Sequence, residues 1–168
     1  LVGAKALSDV SPVSTNAGAV YFLRPWIGVF ANYSETFAAP NNGANYIDGR
    51  PPGISQSRGK DFGFKVEFFD GRISGSVSYY TSEQVGLLVA SIRETEINRL
   101  WTNLGRVDLA RLSYRDTQDQ KGDGYEADLA ANPTRNLRVT FNLGLPETSA
   151  VNLRPGLAGY YAAHLAQW

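Results

Sequence analysis

One histidine, His164, stands among 168 residues that include no cysteine and no methionine. That inventory restricts chemistry severely. Zinc sites draw on several Cys or His ligands, and a multi-histidine site cannot be built from one. A Ser–His–Asp triad would have to run through His164. That residue lies in the helical stretch "GYYAAHLAQW" beside Tyr160 and Tyr161, and no serine sits in a nucleophile-elbow motif. It reads as a packed or exposed helix histidine. The acidic run "DTQDQKGDG", Asp116 to Gly124, lacks calcium-loop spacing and reads as a solvated loop tip. Asn32-Tyr33-Ser34 matches a glycosylation acceptor but falls inside a predicted strand. The expectation is a protein with no catalytic residue, no metal site and no cofactor, hence not an enzyme.

What remains is a set of charges and hydroxyls at alternate positions: Lys65 and Glu67, Ser74 and Ser76, Glu126 and Asp128, and Arg138, Thr140 and Asn142. Such groups pair with one another or bind a polar solute. The first reading makes Lys65 and Glu67 wall charges balanced by neighbouring strands; the second makes them ligand contacts. Sixteen basic residues balance sixteen acidic ones, so no basic stripe marks a nucleic-acid partner.

The elements that position these residues are hairpins. In "FGFKVEFFDGRISGSVSYY", Phe62 to Tyr80, the apolar residues Phe62, Phe64, Val66 and Phe68 alternate with Gly63, Lys65 and Glu67. Asp70-Gly71 suits a two-residue type I′ turn, which needs positive φ at both positions. That turn pairs Phe69 with Arg72, Phe68 with Ile73, Val66 with Gly75, Phe64 with Val77 and Phe62 with Tyr79. The other face pairs Glu67 with Ser74, Lys65 with Ser76 and Gly63 with Ser78. Turn chemistry and side-chain pattern agree, and a one-residue slip would mix the faces. A second hairpin spans Gly124 to Leu145, with Tyr125, Ala127, Leu129, Leu137, Val139, Phe141 and Leu143 on its apolar side. Its connection is assigned to residues 132–136, because Pro133 does not fit inside a central strand. A third covers Ala17 to Ser34 and turns near Arg24-Pro25-Trp26. Long connections are expected over residues 35–60 and 84–123, the latter with a short helix in "ASIRETEINRLW". "RPGLAGYYAAHLAQW" reads as a closing helix with Pro155 in its first turn.

A soluble antiparallel sheet with one face on a core is the ordinary reading of alternation. Three features argue against it. Short and long connections alternate, as in outer-membrane barrels. The strands run about nine to eleven residues, the length of a tilted membrane crossing. Aromatics collect at strand ends: Tyr33, Phe62, Tyr79 and Tyr125 toward the loops, Trp26 and Phe68 toward the turns, which suits the two interfaces of a bilayer. No run of about 18 apolar residues forms a membrane helix, but barrel strands need none. The fold expected is all-β: an antiparallel transmembrane β-barrel segment of about six strands in three hairpins, with long loops and short helices. Phe62, Phe64, Val66, Phe68, Val77, Tyr79, Leu137, Val139 and Phe141 would face lipid, and the nine polar positions above a water-filled lumen. Six strands are too few for a bacterial membrane barrel. With methionine missing even at position 1, residues 1–168 are expected to be one partial barrel domain of a longer chain.

"GAVYFLRPWIGVFANYSETFAAP", Gly18 to Pro40, resembles the barrel of TonB-dependent outer-membrane receptors. Ala31 to Phe37 matches the family's aromatic "anySesF" strand. Gly63-Phe64-Lys65, Asp70-Gly71-Arg72 and Tyr79-Tyr80 fit its next hairpin, with Asp61 where Glu is usual. "GYEADLAANPTRNLRVTFNL" fits the one after. The resemblance covers about residues 17–145. It implies energised uptake of a scarce ligand such as a siderophore, cobalamin or a glycan, with outer loops 35–60 and 84–123 capturing it. It also implies residence in the outer membrane of a Gram-negative bacterium, contact with its lipid, and work with TonB through parts this segment does not contain. The family's plug domain and TonB box find no counterpart in these residues. The rival readings are a passive porin or structural barrel, and a soluble all-β binding module.

Overall fold

The computed structural model describes residues 11–39, 45–90, 94–110 and 114–168. Six strands form one antiparallel sheet in next-neighbour order. They are β1 (Thr15–Arg24), β2 (Ile27–Ala38), β3 (Ser55–Phe68), β4 (Ile73–Ala90), β5 (Arg115–Thr134) and β6 (Leu137–Val151). Helix α1 (Glu94–Asn103) lies between β4 and β5, and α2 (Pro155–His164) follows β6. The fold class read from the sequence is the one observed, as a sheet whose outer strands β1 and β6 are not joined to each other.

The β3–β4 register is the one derived from the turn: Phe68 opposite Ile73, Val66 opposite Gly75, Phe64 opposite Val77 and Phe62 opposite Tyr79. Asp70 and Gly71 have φ of 53° and 82°, as a type I′ turn requires. Phe69 also turns left-handed, with φ of 54°, so the ladder ends one pair earlier than expected. The β1–β2 turn is Pro25-Trp26.

Three expectations are corrected. The β5–β6 turn is only Arg135-Asn136, because β5 continues to Thr134. Pro133 sits in an irregularity of the ladder between Ala131 and Thr134, where it takes part in no ladder pair. The stretches assigned to loops are strand at both ends: β2 runs to Ala38, β3 starts at Ser55, β4 reaches Ala90 and β5 starts at Arg115. Asp116 to Gly124 is therefore strand, not a loop tip. The β3 and β5 extensions are polar on both faces, and the β4 extension ends in the unbroken apolar run Leu87-Leu88-Val89-Ala90, so no alternating hydrophobic period marks either. The predicted helix begins later than read, at Glu94, and its Ile92 lies outside the described residues.

Apart from Phe30, the buried apolar residues lie at the loop end: Ile47, Ile97, Trp101, Tyr114 and Leu157. Phe62, Phe64, Val77, Tyr125, Phe141 and Leu143 are all exposed. Among the described residues no second layer covers the apolar face of the sheet. A soluble domain would bury such a face.

Candidate functional site

The ladders carry the alternation across four strands. Lys65, Ser76, Asp128 and Asn142 form one cross-strand row; Glu67, Ser74, Ala130 and Thr140 form the next. Phe64, Val77, Ala127 and Leu143 form a row on the opposite face, followed by Phe62, Tyr79, Tyr125 and Leu145. Rings along this last row touch, with centroids 5.7 Å apart for Phe62–Tyr79 and 5.1 Å for Tyr79–Tyr125. At the turn end Trp26 stacks on Phe68 at 5.5 Å. Every residue read as polar-facing thus shares one face, and every residue read as apolar-facing shares the other.

The polar face holds two grooves. One of about 480 Å³ near the turns is lined by Lys65, Glu67, Ser74, Ser76, Asp128, Arg138, Thr140 and Asn142, with Phe22 and Trp26 at its rim. Of the nine predicted residues only Glu126 lies outside it, one row toward the loops and opposite Ser78. Its charges do not close into ion pairs with one another among the described residues. Lys65 Nζ instead sits 5.0 Å from the centre of the Phe30 ring, a cation–π contact. With its amide oriented to satisfy both neighbours, Asn142 donates to Asp128 Oδ1 at 2.7 Å. The second groove, about 510 Å³, lies toward the loops and is rich in hydroxyls and amides, including Ser34, Thr36, Ser57, Gln84, Gln120 and Thr148. Both suit polar, hydrated solutes. The acceptor pattern at Asn32 falls on this face, and its amide donates to Asp61 Oδ2 at 2.8 Å.

Above the grooves the connections pack together. Trp101 of α1 and Tyr114 are each 1% exposed and cluster with Ile47, Ile97 and Leu157; Tyr160, Tyr161 and Trp168 pack around them. Trp101 Nε1 donates to Tyr160 Oη at 3.0 Å. His164 packs at 4.4 Å from the Tyr160 ring and 5.1 Å from Trp101, and its Nδ1 lies 3.4 Å from Gln167 Oε1. It is a packed helix residue. In the turn after α1, Arg106 bonds both carboxylate oxygens of Asp108 at 3.0 Å, and that hydrogen-bonded carboxylate raises the guanidinium pKa above its ordinary value.

The sequence reading missed Asp116. Its side chain is buried at the start of β5 and accepts from the backbone N–H groups of Gly156 (3.2 Å) and Leu157 (2.6 Å), in the first turn of α2. A carboxylate there satisfies orphan helix donors and opposes the dipole's positive end. Arg154 N donates to Thr117 O at 2.9 Å beside it. Nothing local signals a cap that comes from forty residues away.

A next-neighbour antiparallel sheet, bare on its apolar face and wet on the other, is the wall pattern of a β-barrel. Residues 4–164 match the family described as TonB dependent receptor-like, beta-barrel, and the chain belongs to that family. No curated protein sequence matches the chain. Solved structures share its fold. The ferripyoverdine receptor of the outer membrane of Pseudomonas aeruginosa, bound to ferripyoverdine, superposes with a TM-score of 0.65 at 19% identity, over 80% of this chain. The FpvAI–pyocin S2 complex gives the same values. The alcaligin outer-membrane receptor FauA from Bordetella pertussis gives a TM-score of 0.58 at 17% identity, over 82% of this chain. The chain spans 17% of the length of the ferripyoverdine receptor and 22% of FauA.

Proposed function

We propose that residues 1–168 form an arc of the barrel wall of a TonB-dependent receptor in the outer membrane of a Gram-negative bacterium. The receptor imports a scarce ligand, of which an iron–siderophore complex is the favoured class. The observation that carries this reading is the register. It keeps nine polar and nine apolar positions on opposite faces of a sheet whose apolar face has no covering layer among the described residues. The apolar face meets lipid, where each exposed Phe and Leu is at home. The polar face lines the lumen, where Lys65, Glu67, Glu126, Asp128 and Arg138 stay hydrated instead of carrying the desolvation cost of a core. The unpaired edges of β1 and β6 require further strands on both sides, because open edges do not face lipid.

The packed aromatic cap and the hydroxyl-rich groove beneath it stand at the mouth, where ligand is captured. Release inward is driven through TonB, acting on parts outside this arc. The siderophore class is supported by the pyoverdine and alcaligin receptors whose folds align with this chain. The test is uptake of iron-loaded siderophores by cells with the encoding gene deleted, restored, or restored in a TonB-deficient background. The proposal expects uptake only when both gene and TonB are present. Uptake that persists without TonB would mark a passive pore instead.

A further inference from the structure

Strands β2 to β6 lay two complete rows across the loop-side groove. One reads Thr36, Ser57, Gln84, Gln120 and Ala150. The next, toward the turns, reads Ser34, Gly59, Ser82, Gly122 and Thr148. Neither row holds an ionic side chain. The row below them, Asn32, Asp61, Tyr80, Gly124 and Pro146, holds one, a carboxylate. The intervening residues of the same strands are ionic: Glu35, Arg58, Glu83 and Lys121 form one row on the opposite face, and Lys60, Asp123 and Glu147 belong to the next. Arg58, Glu83 and Lys121 also border the groove. Parity turns their side chains to the outer face, where Glu35 accepts from Arg58 Nε at 3.1 Å and Glu83 pairs with Lys121 Nζ at 3.2 Å.

Hydration does not explain this segregation. The turn-side groove lies on the same face and carries Lys65, Glu67, Asp128 and Arg138, so water accommodates charge there. The loop-side groove differs in offering only neutral donors and acceptors. Among the described residues, Ser34, Thr36, Ser57, Gln84, Gln120 and Thr148 make no side-chain hydrogen bond. Gln84 and Gln120 stand opposite each other, each with an amide that donates and a carbonyl that accepts. Gly59 and Gly122 leave room at the floor: a Cβ on the first would come within 2.8 Å of Ser34 Oγ, and one on the second within 3.0 Å of Ser82 Oγ.

The geometry points to an uncharged ferric complex, presenting amides and hydroxyls, as the ligand this groove receives. This rests on the siderophore reading above and narrows it. Three singly charged hydroxamates cancel the charge of ferric iron, whereas three doubly charged catecholates leave a surplus of negative charge. Docking strips water from the ligand's surface. An anion that loses water without gaining a cation pays more than a neutral group that keeps its hydrogen bonds. The groove supplies such bonds from four strands and supplies no cation. The ion in the adjoining row is Asp61, held by the Asn32 amide at 2.8 Å, and it repels an anion.

The test uses the purified full-length receptor, with quenching of its tryptophan fluorescence as the binding signal. The probes are a ferric trihydroxamate and a ferric tricatecholate. Wild type is expected to prefer the trihydroxamate by about tenfold or more. Gln84→Ala and Gln120→Ala should each weaken trihydroxamate binding about threefold to tenfold. Gln120→Lys should shift the ratio of the two affinities about tenfold toward the tricatecholate. Gln120 is exposed, so these changes leave the ladder intact, and Lys60→Gln on the opposite face should alter neither affinity. A wild type that binds the tricatecholate as tightly as the trihydroxamate overturns the inference, as does unchanged trihydroxamate binding in both alanine variants. Binding of neither complex would instead remove the siderophore reading, and the inference with it.

Discussion

Replacing Phe64 by Arg places a charge in the middle of the apolar face. The Phe64–Val77–Ala127–Leu143 row lies between the Phe62–Tyr79–Tyr125 row and the row of Phe68, Ile73, Ala131 and Val139 near the turns. Phe64 is 55% exposed in this sheet, so about half of its ring is left for hydrocarbon to cover. Full burial of a Phe is worth about 1.5–3 kcal/mol, and half of that is forfeited. An Arg on the lipid face near the midplane adds about 2–4 kcal/mol. Together these cost about 3–5 kcal/mol, or two to four orders of magnitude in the folding constant. The neighbouring change Ser76→Arg falls in the polar groove, between Lys65 and Asp128 on the adjoining strands. It adds a hydrated cation next to a carboxylate and should shift stability by about 0.5 kcal/mol or less, as surface changes do. The assay is urea unfolding of the full-length receptor in phospholipid vesicles, followed by tryptophan fluorescence. Equal losses in the two variants, or a larger loss for Ser76→Arg, would refute the assignment of faces.

Gly63 lies where β3 and β4 approach closely: a Cβ there would come within 2.8 Å of Ser78 Cα. Gly63→Ala should cost about 1–3 kcal/mol, the range for overpacking, whereas Gly144→Ala, with open space around it, should cost under about 1 kcal/mol by the same unfolding assay. Asp116→Ala removes the acceptor shared by Gly156 and Leu157 N–H. It should destabilise the cap by about 1–3 kcal/mol, seen as faster hydrogen exchange in α2 with the β3–β4 ladder unchanged.

Much of the turn-side half of the sheet was legible because two independent signals coincide there. Asp70-Gly71 sets the register, and Phe62, Phe64, Val66 and Phe68 set the faces; either alone leaves alternatives. Above the aromatic row that legibility ends. Gln56 to Lys60 and Asp116 to Gly124 carry polar residues on both faces, so hydrophobic periodicity falls silent although the ladder continues. Pro133 misled in another way: its missing N–H argues against a central strand, yet a ladder irregularity accommodates it. Asp116 was invisible because its role depends on the tertiary approach of α2. Lys65 and Glu67 were read as wall charges balanced by neighbours or as ligand contacts, and to either reading the structure adds a contact of Lys65 with the Phe30 ring. Phe30 reaches it from the second strand, across from Gly63, a contact no local pattern predicts.

The most direct measurement of the account is a spin-label scan of β3. The chain has no cysteine of its own, so single cysteines at positions 62 to 68 can be labelled one at a time in the vesicle-bound receptor. Accessibility to oxygen, which partitions into lipid, should peak at 62, 64, 66 and 68. Accessibility to a water-soluble nickel complex should peak at 63, 65 and 67. A flat profile, or the opposite phase, would contradict a wall that divides hydrocarbon from water.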